Sequence, residues 1–153
     1  MASSAFLKLK GQTQGDIKGS VTQKGREGLI EVTSWSWVGE RNFQGTVASG
    51  APTASEFHLT KRRDRSTPLL LNAFAGNEEM TEWRLDLFDV SSQGVEVLTT
   101  RIELSSAHLG SIRNAGVDTG SSSTSSDHDE LTFVFDEIKV TWLDGNLIGT
   151  FAP

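Results

Sequence analysis

The side chains best able to do chemistry in this sequence are its histidines and one short acidic segment. The histidines lie far apart along the chain, at His58, His108 and His128. None of them has the spacing of a zinc-protease motif. The acidic segment SDHDE offers hard oxygen ligands for a divalent cation, on Asp127, Asp129 and Glu130. It lacks the glycine turn of a calcium-binding loop, so we interpret it as a cluster of solvated charges and expect no bound metal.

Nucleophilic and nucleotide-dependent chemistry find little support in the sequence. No serine lies in a G-x-S-x-G elbow, and the segment GTVASG, residues 45–50, has no P-loop lysine. The chain contains no cysteine, which excludes disulfides, thiolate zinc sites and cysteine nucleophiles together. An enzyme is therefore the class of protein with the least support, and we expect no cofactor.

The charge distribution limits the classes of partner. The formal net charge is −6, which argues against a dedicated nucleic-acid surface. The strongest basic run is KRRDR, residues 61–65, which is either a solvated turn or a patch that complements an acidic partner face. No apolar run approaches the roughly 20 residues of a membrane span, and MASSAFLKLKG lacks the apolar core of a secretory signal. We expect synthesis in the cytoplasm, no membrane insertion, and any export by a route that reads no cleavable signal.

About eight strand-like segments and one helix must position these residues. Alternating apolar residues predict the strands, and Thr67 and Pro68 followed by Gly76 predict a helix at about Pro68–Ala75. In two segments, GLIEVTSWSWVG and DELTFVFDEIKVTW, the apolar residues first occupy one set of alternate positions and then change to the other set. This change of parity indicates two strongly bent strands. The predicted fold is mainly β, a β-barrel of two crossed antiparallel sheets with one short flanking α-helix. We expect a single domain over residues 1–153, with an extended loop at about 40–55.

The stretch VTSWSWVG carries two tryptophans two residues apart. In a strand, Trp35 and Trp37 point to one face, and Ser34 and Ser36 point to the other. A β-bulge near Thr33 would reconcile the tryptophans with the apolar residues that precede them. The predicted core residues are Trp35, Trp37, Phe57, Leu59, Leu70, Phe74, Phe133 and Phe135.

Three stretches occur together in a fixed order: IEVTSWSWVG, FHLTKRRDRSTPLLLNAFAG and LTFVFDEIKVTW. With the opening FLKLKGQTQGDIKGSV, they resemble the haemolysin-coregulated protein (Hcp) family, the tube protein of bacterial type VI secretion systems. The resemblance runs from about Ala5 to Trp142. Its most specific element is WSW followed by T-K-x-x-D-x-S-T-P-x-L.

The resemblance implies a β-barrel subunit whose copies form hexameric rings that stack into a hollow tube. A contractile sheath would propel the tube, tipped by a VgrG-type spike protein, into a neighbouring cell. The protein would thus be cytoplasmic first and then secreted or delivered, with small effector proteins carried in the lumen. The resemblance also implies that the protein is not an enzyme. The family has a lumen-facing serine at the position of Ser36, and Ser34 shares its face, so both are candidate effector contacts.

The long loop and the basic run supply the candidate contacts between subunits or rings. These are Phe43, Gln44, Thr46, Val47, Lys61, Arg62, Arg63 and Arg65. Two other interpretations remain open. One is the tail-tube protein of another contractile injection particle or phage, and the other is a monomeric ligand-binding β-barrel with a closed apolar interior.

Overall fold

The computed structural model describes residues 3–116 and 127–153, in which strands dominate and one helix occurs. In chain order the strands are β1 (Ser4–Gly11), β2 (Gly15–Ile17), β3 (Ile30–Ser36), β4 (Gly39–Glu40), β5 (Phe43–Gln44), β6 (Val47–Ala48), β7 (Thr53–Ala54), β8 (Phe57–Arg62), β9 (Met80–Val90), β10 (Glu96–Ser105), β11 (His108–Ala115), β12 (His128–Val134), β13 (Glu137–Trp142) and β14 (Leu147–Phe151). The helix α1 spans Thr67–Ala75. The predicted class, mainly β with one short helix, is confirmed.

Ten strands form one antiparallel sheet in the order β11-β12-β8-β3-β1-β9-β10-β13-β14, with β2 paired to β1. The sheet curls until its two halves face each other, since the ring centroid of Trp83 on β9 lies 4.8 Å from Phe57 on β8 and 5.7 Å from Phe133 on β12. Within the described residues, no ladder joins the outer edges of β11 and β14. The structure is therefore an open, curled sheet and not the closed barrel that the sequence predicts.

The two parity switches have different structural causes. The pairing of β3 with β8 shifts register between Val32 and Ser34, which is the β-bulge expected near Thr33. The second predicted strand is in fact two strands, because the chain leaves β12 at Val134 and re-enters the sheet as β13 at Glu137. These strands lie in opposite halves of the sheet, so the prediction of one long bent strand is wrong.

The core lies between the facing halves of the sheet and under α1. Four predicted core residues are fully buried, namely Phe57, Leu59, Leu70 and Phe133, and two are partly buried, Trp37 and Phe135. The prediction is wrong for the other two, since Trp35 is 38% exposed and Phe74 is 41% exposed. Helix α1 buries Leu70 and Ala73, which turns Phe74 outward. Trp35 lies on the part of β3 that pairs only with β8, so its ring is covered from one side.

The helix begins and ends close to the predicted positions. Ser66, and not Thr67, is the N-cap residue, and Pro68 lies in the first turn. Gly76 follows the helix with a φ of −91°, and Asn77, with a φ of 47°, takes the left-handed conformation that turns the chain.

The segment predicted as a long loop is a β-ribbon in two parts. Strand β4 pairs with β7, and farther along the ribbon β5 pairs with β6. At its base, the amide of Ser55 donates to the carbonyl of Val38 at 2.7 Å, and the amide of Val38 donates to Ser55 Oγ at 2.9 Å. Every residue from Val38 to Ala51 is exposed, so the ribbon is held by its own pairing and buries little against the rest of the subunit.

Candidate functional site

One face of four neighbouring strands, β11, β12, β8 and the second half of β3, is polar and mostly exposed; we call it the polar face. Cross-strand partners lie on the same face of a sheet, so the pairing register aligns these side chains in rows. The first row, which we call the hydroxyl row, consists of Ser36, His58, Thr132 and Ser111. The second row consists of Ser34, Thr60, Glu130 and Arg113. The sequence analysis singled out only the two serines here as lumen contacts, although the alternation in FHLTKR and LTFV already marks their neighbours as outward-facing.

The reverse of the polar face is the core. Along β8, the buried side chain of Phe57 alternates with the exposed side chain of His58. The ring of Trp35 stacks on Phe57 with 5.8 Å between centroids, so the tryptophan lies on the core side of β3. Trp37, beyond the end of β3, stacks instead against Phe151 at 6.4 Å. The polar face is thus backed by packed aromatic rings, which hold its strands in place.

Charged residues of both signs lie on and beside the polar face. Arg113 forms an ion pair with Glu130, and the hydrogen bond from Arg113 holds the pKa of that carboxyl below its usual value. His128 Nε2 lies 3.5 Å from Glu130 Oε2. Arg62 and Glu31, of opposite charge, line one shallow cleft at the edge of the face.

The basic run does not form a single patch. Lys61 is fully buried, so its assignment to an assembly surface is wrong. The physical reason is that side chains along β8 point alternately to the two faces of the sheet, and Lys61 points to the same face as the buried apolar residues. Arg62 lies on the polar face, Arg63 binds Asp127 at 2.8 Å, and Arg65 is exposed.

Lys61 is the centre of a buried ion-pair network that the sequence analysis missed. Its Nζ donates to Asp129 Oδ2 at 2.7 Å and to Asp64 Oδ1 at 3.1 Å. Asp129 also accepts hydrogen bonds from Thr67 Oγ1 and Asn114 Nδ2, both at 2.7 Å. Burial raises the pKa of Asp129, but the hydrogen bonds from Lys61, Thr67 and Asn114 outweigh it and hold the pKa below its usual value. The polar residues of T-K-x-x-D-x-S-T-P thus join β8 and the start of α1 to β11 and β12.

The three carboxylates of the acidic segment bind three different cationic groups. The pairs are Asp127 with Arg63, Asp129 with Lys61, and Glu130 with Arg113. The carboxylates therefore do not converge on one point, and no side-chain cluster in residues 3–116 and 127–153 could hold a metal ion. No helix in the same described ranges is long and apolar enough to cross a membrane.

The fold is that of several Hcp proteins whose structures have been solved. Hcp1 from E. coli EAEC 042 has a TM-score of 0.87 to this chain at 24% identity, over 99% of each chain. A further Hcp crystal structure has a TM-score of 0.89 at 20% identity, over 99% of this chain and 98% of that one. The secreted protein Hcp3 from Pseudomonas aeruginosa has a TM-score of 0.80 at 19% identity, with the same coverage. At these identities, the likeness shows the fold alone.

The sequence itself establishes the family. The model of the family described as "Type VI secretion system effector, Hcp" matches residues 6–142. The chain therefore belongs to the Hcp family of type VI secretion proteins. No curated protein matches it.

Proposed function

We propose that this chain is the tube subunit of a type VI secretion system. Six copies close a ring, rings stack into a hollow tube, and small effector proteins travel in the lumen. The sheath and a VgrG-type spike are its partners, the protein leaves the cytoplasm with the spike, and it catalyses no reaction. The proposal is supported by membership of the Hcp family and by one structural observation, which is that exposed apolar side chains lie on an open edge of the sheet and on the ribbon.

The first of these parts is the edge strand β14 with its neighbour β13. Leu147 is 66% exposed, and Ile148 and Trp142 are exposed beside it. Strand β14 has no partner on its outer side among the described residues. Monomeric proteins rarely leave such an edge open, because it templates association. If β14 meets a different surface of the next copy, such as the opposite edge at β11, the contact is head-to-tail, which is the type of contact that closes rings.

The second part is the ribbon. Val47 is 69% exposed and Phe43 is exposed on the neighbouring strand, while Gln44 pairs with Val47 and Thr46 lies in the turn. Because the ribbon buries little in its own subunit, these side chains are available to an adjacent subunit or ring. We assign them to that contact, together with the exposed arginines of the basic run, Arg63 and Arg65.

The polar face is the proposed wall of the lumen, with Ser34 and Ser36 as effector contacts. The alternative of a monomeric ligand-binding barrel is disfavoured, because Trp83 fills the interior against Phe57 and Phe133. The tail tube of another contractile particle needs the same assembly surfaces, and the match to the Hcp family favours the secretion system over it.

Electron microscopy and light scattering of the purified protein test the proposal. We expect rings with a central hole and the mass of six chains. Phe43→Ser combined with Val47→Ser should reduce assembly and leave the circular dichroism spectrum unchanged. Arg41→Ser, an exposed change in the same ribbon, is the matched control and should assemble as the parent does. A homogeneous monomer at high concentration would refute the tube and favour a monomeric binding protein.

A further inference from the structure

We propose that the hydroxyl row of Ser36, His58, Thr132 and Ser111 is a recognition site for uncharged, hydrogen-bonding protein surfaces. Within the row, His58 makes the contact that lies farthest from the sheet. This inference rests on the proposed function, because it takes the polar face to be the wall of the lumen. It adds a chemical class of cargo surface, and it adds residues from β8, β11 and β12 to the two serines of β3.

The geometry of the row makes His58 its leading member. Strands lie about 4.8 Å apart, so four partners in direct register span roughly 15 Å. Ser111 Oγ lies 2.7 Å from Thr132 Oγ1, so these two hydroxyls bind each other. His58 is exposed and forms no hydrogen bond or ion pair within the described part of the chain. It also has the longest side chain of the row, so its ring nitrogens reach farthest from the sheet.

The charges that flank the row cancel except for one carboxylate. Arg113 is paired with Glu130 in the next row, and Arg62 and Glu31 line a common cleft. The carboxylate of the exposed Glu56 lies near Thr132, beside Gly110, and forms no ion pair within the described residues. The whole subunit carries a net charge of −6, so most of the excess negative charge lies on other surfaces. A face this close to balance attracts charged surfaces only weakly over distance. Recognition then depends mainly on short-range hydrogen bonds, which the hydroxyls and the imidazole of the row can form. The complementary groups are the amides and hydroxyls of a polar protein surface.

The position of the row is tested with single thiols, because the chain has no cysteine of its own. His58→Cys is modified with biotin-maleimide, assembled and mixed with streptavidin, and Lys24→Cys, in an exposed loop, is the control. Rings should bind streptavidin at position 24 and far less at position 58, whereas dissociated subunits should bind it at both. The absence of rings would refute the proposed function and this inference with it. Intact rings that bind streptavidin equally at both positions would overturn this inference alone.

The chemistry of the row is tested with a reporter and defined peptides. The uncharged fluorophore bimane is attached at Ser111→Cys, and rings are titrated with end-blocked pentapeptides of asparagine, lysine or glutamate. Penta-asparagine should give the largest change in emission, and the change should persist when the salt concentration is raised from about 0.05 M to about 0.5 M. His58→Leu should lose most of this response, and His58→Gln, which restores a donor and an acceptor, should regain it. Equal or absent responses, a preference for a charged peptide, or an unchanged response in His58→Leu would overturn the assignment.

Discussion

Replacing Lys61 by methionine removes the cation at the centre of the buried network. Lys61 is fully buried and Asp129 is 1% exposed, and methionine occupies a similar volume, so the main effect is electrostatic. Removing one partner of a buried ion pair typically costs about 3–5 kcal/mol, because the other charge stays buried without compensation. Asp129 keeps its hydrogen bonds from Thr67 and Asn114. We therefore expect a loss at the lower end of that range, about 3 kcal/mol.

The assay is urea unfolding of the dissociated subunit, followed by tryptophan fluorescence. A loss of about 3 kcal/mol is a large part of the 5–15 kcal/mol that stabilises a typical domain, so the unfolding midpoint should fall clearly. Lys24→Met, at an exposed lysine, is the matched control and should unfold with the parent. Combining Lys61→Met with Asp129→Asn removes both charges, keeps an acceptor for Thr67 and Asn114, and should recover part of the loss. The reasoning is refuted if Lys61→Met lies within about 1 kcal/mol of the parent, the value of an ordinary surface pair.

The same network predicts how the free energy of unfolding changes as the pH falls. The pKa of Asp129 is lowered in the folded protein from its ordinary value of 3.8, so its contribution to stability is complete above that ordinary value and is lost as the pH falls through the folded pKa. The free energy of unfolding should therefore fall below about pH 4. Asp129→Asn should be less stable than the parent at neutral pH and should lose less stability on acidification. Equal acid slopes for the two proteins would contradict this role.

Three other contacts yield predictions of their own. Arg26 lies over two phenylalanine rings, 4.9 and 3.7 Å from their centroids, so Arg26→Gln should cost about 1 kcal/mol in urea unfolding, and unchanged stability would count against the contact. Trp83→Ala should destabilise the subunit by about 3–5 kcal/mol in urea unfolding, whereas Trp35→Ala should cost less, because its ring is partly exposed. The reverse order would show that the two rings are wrongly placed. A Cβ at Gly11 would lie 2.0 Å from Glu78 Oε2. Gly11→Ala should therefore displace that carboxylate from the two backbone amides that it binds. In the parent protein the pKa of Glu78 lies below its usual value, and the variant should raise it. An NMR titration that shows no change in this pKa would contradict the prediction.

Local sequence patterns were sufficient for the fold class, the helix and the first bulge. The alternation of apolar and polar residues has the period of a strand, and its phase shifts where β3 is bulged after Val32. Pro68 and Gly76 mark the two ends of α1 irrespective of what packs on it. The alternation also sets Ser34 and Ser36 on the face opposite a tryptophan. Each of these features depends on backbone geometry and on neighbours within a few residues, so the sequence by itself determined them.

Only the tertiary structure decided which partners the residues meet. Asp129 follows Lys61 by 68 residues, and the fold brings their charged groups to 2.7 Å, which makes the burial of this lysine possible. The chain leaves the sheet after Val134 because β12 pairs with β8 and β13 pairs with β10, and a phase shift in the sequence does not distinguish that break from a bulge. The exposure of Trp35 depends in the same way on the absence of β1 beside the end of β3. Such contacts join residues that are distant along the chain, so a local sequence pattern does not predict them.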